Sequence, residues 1–193
     1  MSKYLITESD RIEIKLYIDD RKERLKVYDS NEIKTITAAE ISVLEARLST
    51  LAALEENETV KEEKKIIGDK LAALKLKGYP EYITVESTFW QKMDGAASEY
   101  ISKKGYDRLP NRPATYNNVE HNKAFIAALL KDWTLSKTDS RLTLKTEQMQ
   151  GFTDRKILDN GTMEIICKLD NNLYSAIVNT SYAQLMGLEE EKN

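Results

Sequence analysis

The chain is poor in the residues that do chemistry. Among 193 residues there is one cysteine, Cys167, and one histidine, His121. A single cysteine excludes an intramolecular disulfide and a thiolate metal cluster within one chain, which suits a reducing compartment. A lone histidine has no second histidine to share a metal, and nothing pairs it with Cys167 as base and nucleophile. The seven glycines are scattered, with neither a GxGxxG pattern nor Gly-Lys-Ser/Thr, so no phosphate-cradling loop is expected. No apolar run approaches the roughly 18 residues that a membrane span needs. The opening Met1–Glu8 stretch lacks the apolar core of a signal peptide. A net charge of −3 is too small to imply a polyanion partner. Asp154, Asp159, Glu164 and Asp170 lack calcium-loop or two-metal spacing and read as caps and solvated charges. These absences predict a protein that is not an enzyme and takes no metal or cofactor. They place it in cytoplasm, or in a particle assembled there.

What is present is pattern. Hydrophobic residues make up 41% and charged residues 32%, with both signs mixed. That is enough for a real core in one domain or two small ones. From Ile12 to Asp19 apolar and polar residues alternate, which predicts a strand with one buried face. Asp20-Arg21-Lys22 makes a turn, and Leu25 and Val27 continue the alternation back. The result is an N-terminal β-hairpin, which must pack on something else to be stable.

An antiparallel helical hairpin follows. Thr37-Ala38-Ala39-Glu40 has the spacing of a capping box, and Ile41, Leu44, Leu48 and Leu51 recur on one stripe. Asn57 marks a break. Val60, Ile67, Leu71 and Leu74 form the stripe of a second helix, which Gly78 and Pro80 end as a left-handed cap and a stop. Each helix should run roughly 30 Å at 1.5 Å per residue. The run Lys61–Lys65 is read as a solvated face.

Beyond Pro80 the composition shifts. Tyr82–Val85 has strand character, and Thr88-Phe89-Trp90 leads toward a helix through Met93, Ala96, Ala97, Tyr100 and Ile101, closed by Gly105. A loop from Tyr106 to Thr115 carries two of the three prolines. Ala124–Leu130 is an apolar run whose helix is expected to continue through Lys131-Asp132-Trp133-Thr134-Leu135. A Thr-rich connector then leads to a second amphipathic helix from about Gly161 to Asn179, capped by Asp159 or Asn160, with Cys167 as a small core residue. The tail Glu189–Asn193 reads as frayed. The fold class is mainly α with a small β component, an α+β chain. A module of residues 1–78 precedes a helical C-terminal domain of residues 79–193, or the two form one continuous domain.

Candidate contact residues come from size and chemistry. Arg108, Arg112, Tyr106 and Tyr116 surround the proline loop, and Trp90, Phe125 and Trp133 are the large aromatics nearby. Arginine and aromatic side chains commonly anchor protein interfaces. A nucleic-acid groove would need more basic residues on one face. A protein partner, within a homo- or hetero-oligomer, is therefore the expected kind of contact.

Three features carry a family resemblance. They are Ile83–Thr88 leading to Met93–Ala97, then Leu129-Leu130-Lys131-Asp132-Trp133-Thr134-Leu135, then Leu142-Thr143-Leu144 before a closing amphipathic helix. Over residues 82–179 the chain resembles the tail assembly chaperones of long-tailed bacteriophages. The resemblance implies a mostly helical binding protein that coats an apolar tape-measure protein, or another virion protein, during tail building. A resident virion component, such as a head–tail connector or tail subunit, is the alternative reading, and a small nucleic-acid-binding protein is a third, less favoured one.

Overall fold

The computed structural model describes residues 11–21, 25–107, 114–152 and 155–185. Its chain divides into two compact units. One is Tyr17–Val85, and the other joins Met1–Leu16 with Glu86–Asn193. The class is α+β, with helices dominant and small antiparallel sheets. Arg108, Arg112 and the tail from 189 to 193 lie outside the described residues.

In the Tyr17–Val85 unit, the end of β1 (Arg11–Asp19) pairs antiparallel with β2 (Lys26–Tyr28), with Ile18 opposite Val27. The alternation holds, since Ile14, Leu16 and Ile18 are buried. Asp19 breaks it, at 2% exposure. Burying a carboxylate is costly unless it is paired, and Arg21 supplies the pairing with two bonds of 2.9 and 3.0 Å.

Helix α1 spans Ser30–Ala52 and starts earlier than the Thr37–Glu40 box suggests. The working cap is Asp29, whose carboxylate accepts from the Asn31 and Glu32 backbone N–H groups at 2.7 and 2.8 Å. Glu32 returns the contact to the Asp29 backbone N–H at 2.9 Å. Thr37 is instead a buried mid-helix residue, its hydroxyl near the carbonyls of Ile33 (2.7 Å) and Gly78 (3.1 Å). Helix α2 (Glu58–Lys77) begins at Asn57, which accepts from the Val60 N–H at 2.9 Å. It ends at Gly78 with φ +76°, a left-handed cap that a Cβ would strain.

Strand β3 (Thr84–Gln91) is longer than its sequence suggests and includes Trp90. Its β-branched and aromatic residues favour the pleat. Helix α3 (Gly95–Lys104) starts only after Asp94, which caps the Ala97 N–H at 2.9 Å. Met93 therefore precedes the helix. The expected loop after Gly105 opens and closes as a two-residue ladder, β4 (Tyr106–Asp107) against β5 (Thr115–Tyr116).

Helix α4 (Asn118–Leu129) buries the whole run Ala124–Leu129. It stops one residue before the apolar run ends. Leu130–Trp133, expected as helix, is strand β6, paired antiparallel with β3 so that Thr88 faces Trp133. A bulge at Phe89/Trp90 shifts the register, so Trp90 faces Leu130. In the unit that joins Met1–Leu16 with Glu86–Asn193, the sheet strands run in the order β1-β3-β6.

Helix α5 (Leu135–Thr138) and a 3-10 turn at Ser140–Leu142 follow. The Thr-rich connector then folds as a hairpin, β7 (Thr146–Gln148) against β8 (Lys156–Leu158). The single helix expected from Gly161 to Asn179 is two, α6 (Asn160–Ile166) and α7 (Asn171–Leu185). Asp159 caps the first through the Thr162 N–H at 2.7 Å. Asp170 restarts the second through the Asn172 N–H at 2.9 Å. Cys167 falls at the break and is exposed, so it is not a core residue.

Candidate interaction surfaces

Two concave surfaces stand out, one in each unit. The larger is a groove of about 710 Å³ formed by α1, α2 and the Tyr79–Tyr82 segment. Ala39, Val43, Leu44, Ala73 and Leu74 make its apolar walls, while Asp69, Lys70, Lys77 and Glu81 stand at its rim. One end is held by a polar cluster. The Tyr82 hydroxyl donates to Glu40 at 2.6 Å, and the Arg21 guanidinium lies 3.0 Å over the Tyr82 ring. Burial and then the Glu40 bond push the Tyr82 phenol up to about 12, so it stays a neutral donor at physiological pH. The cluster fixes Tyr82 at the groove wall and leaves the apolar stretch between the helices uncovered.

The smaller surface is a pocket of about 380 Å³ that brings Tyr116 and His121 together with Asn122, Asn179 and Tyr182. Within it the Tyr116 and His121 ring centroids are 5.3 Å apart, and outside its lining Tyr106 lies 5.4 Å from Tyr116. Nδ1 of His121 is buried without a hydrogen-bond partner among the described residues. Burial lowers the His121 pKa below its ordinary 6.5, because desolvation disfavours the imidazolium. The folded state therefore takes up this proton less readily than the unfolded chain. Its contribution to stability is whole above about pH 6.5 and is lost as pH falls through the lowered folded-state value. Replacing His121 with Gln should flatten that part of the profile. Denaturant midpoints across this range, wild type against variant, measure the difference.

The backbone makes room for this ring at Gly105. A Cβ there would lie 2.8 Å from His121 Nδ1, 3.0 Å from His121 Cβ and 3.1 Å from the Ile101 carbonyl oxygen. Two of those atoms have little freedom to move. Gly105→Ala should cost about 1–3 kcal/mol of overpacking, read as a lower unfolding midpoint. An unchanged midpoint would mean that α3 and α4 yield without strain.

Of the seven contact residues expected from the sequence, the structure leaves two on the surface. Tyr106 and Tyr116 are 41% and 50% exposed and pack edge-on. Trp90, Phe125 and Trp133 are core, with exposures of 0, 1 and 2%. As folded they offer nothing to a partner, because each fills the space between α4 and the sheet or the turns beside it. Arg108 and Arg112 fall outside the described residues. The groove residues are not among those seven, and Glu40, Leu44, Leu74 and Tyr82 figure in the sequence only as cap, stripe and strand residues. Val43 on the groove wall and Ile66 and Leu76 outside its lining are apolar residues off the stripe that α1 and α2 turn toward each other. They are 69%, 48% and 89% exposed.

Among the described residues, no group of three His, Cys, Asp or Glu could hold a metal ion. No described helix is long and apolar enough to cross a membrane. Compared with protein-family models, curated proteins and solved structures, the chain matches none.

Proposed function

We propose that this protein is a non-enzymatic assembly protein that chaperones or scaffolds a partner chain while a larger particle is built. The observation that supports this reading is the open helical hairpin. The 23-residue α1 and the 20-residue α2 bury only three side chains each. Val43, Leu54, Ile66 and Leu76 stay in solvent. A contiguous apolar surface rimmed by charge marks an interaction site, and Val43 joins Ala39, Leu44, Ala73 and Leu74 in such a surface along the groove. A groove between two helices takes a further amphipathic helix, from another chain or from a second copy of this one, along its apolar walls. The resemblance of residues 82–179 to phage tail assembly chaperones supplies the kind of particle and the partner, a long helical tape-measure protein.

Co-expression with such a partner, followed by mass spectrometry of finished particles, tests the reading. An assembly chaperone co-purifies with the long helical chain and is missing from the mature particle. A head–tail connector or tail subunit would instead remain in the particle at a copy number matching a ring symmetry. A pure protein that shifts DNA in a salt-dependent way, with no affinity for the helical chain, would overturn both structural readings.

A further inference from the structure

The open face of α2 has an internal order. Asp69, Ala73 and Lys77 stand four residues apart, on one ridge along the helix, and all three line the groove. At 100° per residue, Ile66 and Leu76 lie on the same side of the helix, and both are exposed. Among the described residues, the hairpin's ion pairs are Arg47–Glu63, Lys75–Glu45 and Lys61–Glu58, and none of them uses Asp69 or Lys77. An acid and a base thus flank a small residue at equal distance, with their charges unspent.

We propose that a second copy of this chain covers this face, with α2 packed antiparallel on α2 of that copy about a two-fold axis at Ala73. A two-fold contact uses the same patch on both copies, so the patch must complement itself. Antiparallel packing centred on Ala73 sets Asp69 of each copy against Lys77 of the other, twice. It also lays Leu76 over the aliphatic stem of Lys70 of the second copy. The alanine lets the two helix axes approach to roughly 8–10 Å, the usual packing distance. Parallel packing would oppose Asp69 to Asp69 and Lys77 to Lys77, which the charges disfavour. Two hairpins joined in this way make a four-helix arrangement, in which Val43 and Ile66 gain neighbours that one hairpin cannot supply. The inference rests on reading the hairpin as an interaction surface. Its test needs no particle partner, so its failure and that of the assembly role are read separately.

The experiment is light scattering and sedimentation of the full-length pure protein, with helicity followed by circular dichroism. Wild type should show twice the chain mass. Asp69→Lys and Lys77→Glu place like charges in contact, so each should weaken self-association roughly 10- to 100-fold with helicity retained. Mixing the two variants in equal amounts should restore the dimer. The lysine introduced at position 69 of one variant then meets the glutamate introduced at position 77 of the other. At the second contact, the native Lys77 of the first meets the native Asp69 of the second. A wild type that stays monomeric overturns the proposal. So does a dimer indifferent to both reversals, or a mixture that fails to recover. A monomer that binds an amphipathic helical peptide in the groove would likewise overturn it, and would assign the face to a different chain.

Discussion

Trp133→Ala should lower the unfolding free energy by ~3–5 kcal/mol, the loss typical of an aromatic truncated in a packed core. Two contributions are lost at this position. The indole is 2% exposed, so its apolar surface returns to water and a void remains. Its Nε1–H donates to the Leu142 carbonyl oxygen at 2.6 Å, and truncation removes that acceptor's partner. The residue also sits opposite Thr88 in the β3–β6 ladder, just before the short helix α5. There the Thr134 N–H donates to the Ser87 carbonyl at 2.8 Å, and the Thr134 hydroxyl accepts from the Ser87 N–H at 2.8 Å. Trp133→Phe separates the contributions, since it keeps a ring and loses the donor. Its cost should be about 1–3 kcal/mol. Guanidinium unfolding at constant slope measures both. A Trp133→Ala protein as stable as wild type would show that the indole is not holding the turn against the sheet.

How much of this is legible in the sequence depends on what a local pattern can carry. The alternation of Ile14, Leu16 and Ile18, the break at Asn57, the stop at Gly78 and the cap at Asp159 are local, and each has its structural counterpart. The start of α1 misleads because two boxes of the same spacing compete, Asp29–Glu32 and Thr37–Glu40, and only tertiary packing buries Thr37. Leu130–Trp133 misleads for a different reason. Ala124–Leu129 is buried all round, so its run has no period to show where helix gives way to strand. The switch is made by pairing with β3, some forty residues away. The three-residue strands β7 and β8 are too short for any period. For the contact surface, residue type is ambiguous. A large aromatic can anchor an interface or fill a core, and Trp90, Phe125 and Trp133 do the second. The groove stays hidden because the regular spacing of Asp69, Ala73 and Lys77 says that they share a face, but not that the face is open.

Trp90→Ala should be at least as damaging, again by ~3–5 kcal/mol, and it tests a polar chain as well as packing. Trp90 is fully buried and lies 5.7 Å from the Phe125 ring, which in turn lies 5.5 Å from Tyr182. Its Nε1–H donates to the Thr88 hydroxyl at 2.8 Å, and that hydroxyl donates to the Ile14 carbonyl at 3.2 Å. Thr88 is itself fully buried, so neither donor has water to fall back on. Thr88→Val keeps the shape but strips the hydroxyl, leaving the indole N–H unpaired in a dry site. That change alone should cost about 1–3 kcal/mol. Trp90→Phe removes the donor and most of the need for the hydroxyl. The double variant Thr88→Val with Trp90→Phe should therefore lose less than the two single losses added together. A double-mutant cycle in guanidinium reads that coupling directly. Strict additivity would show that the two side chains do not act through the bond, and that Trp90 holds β3 against α4 by volume alone.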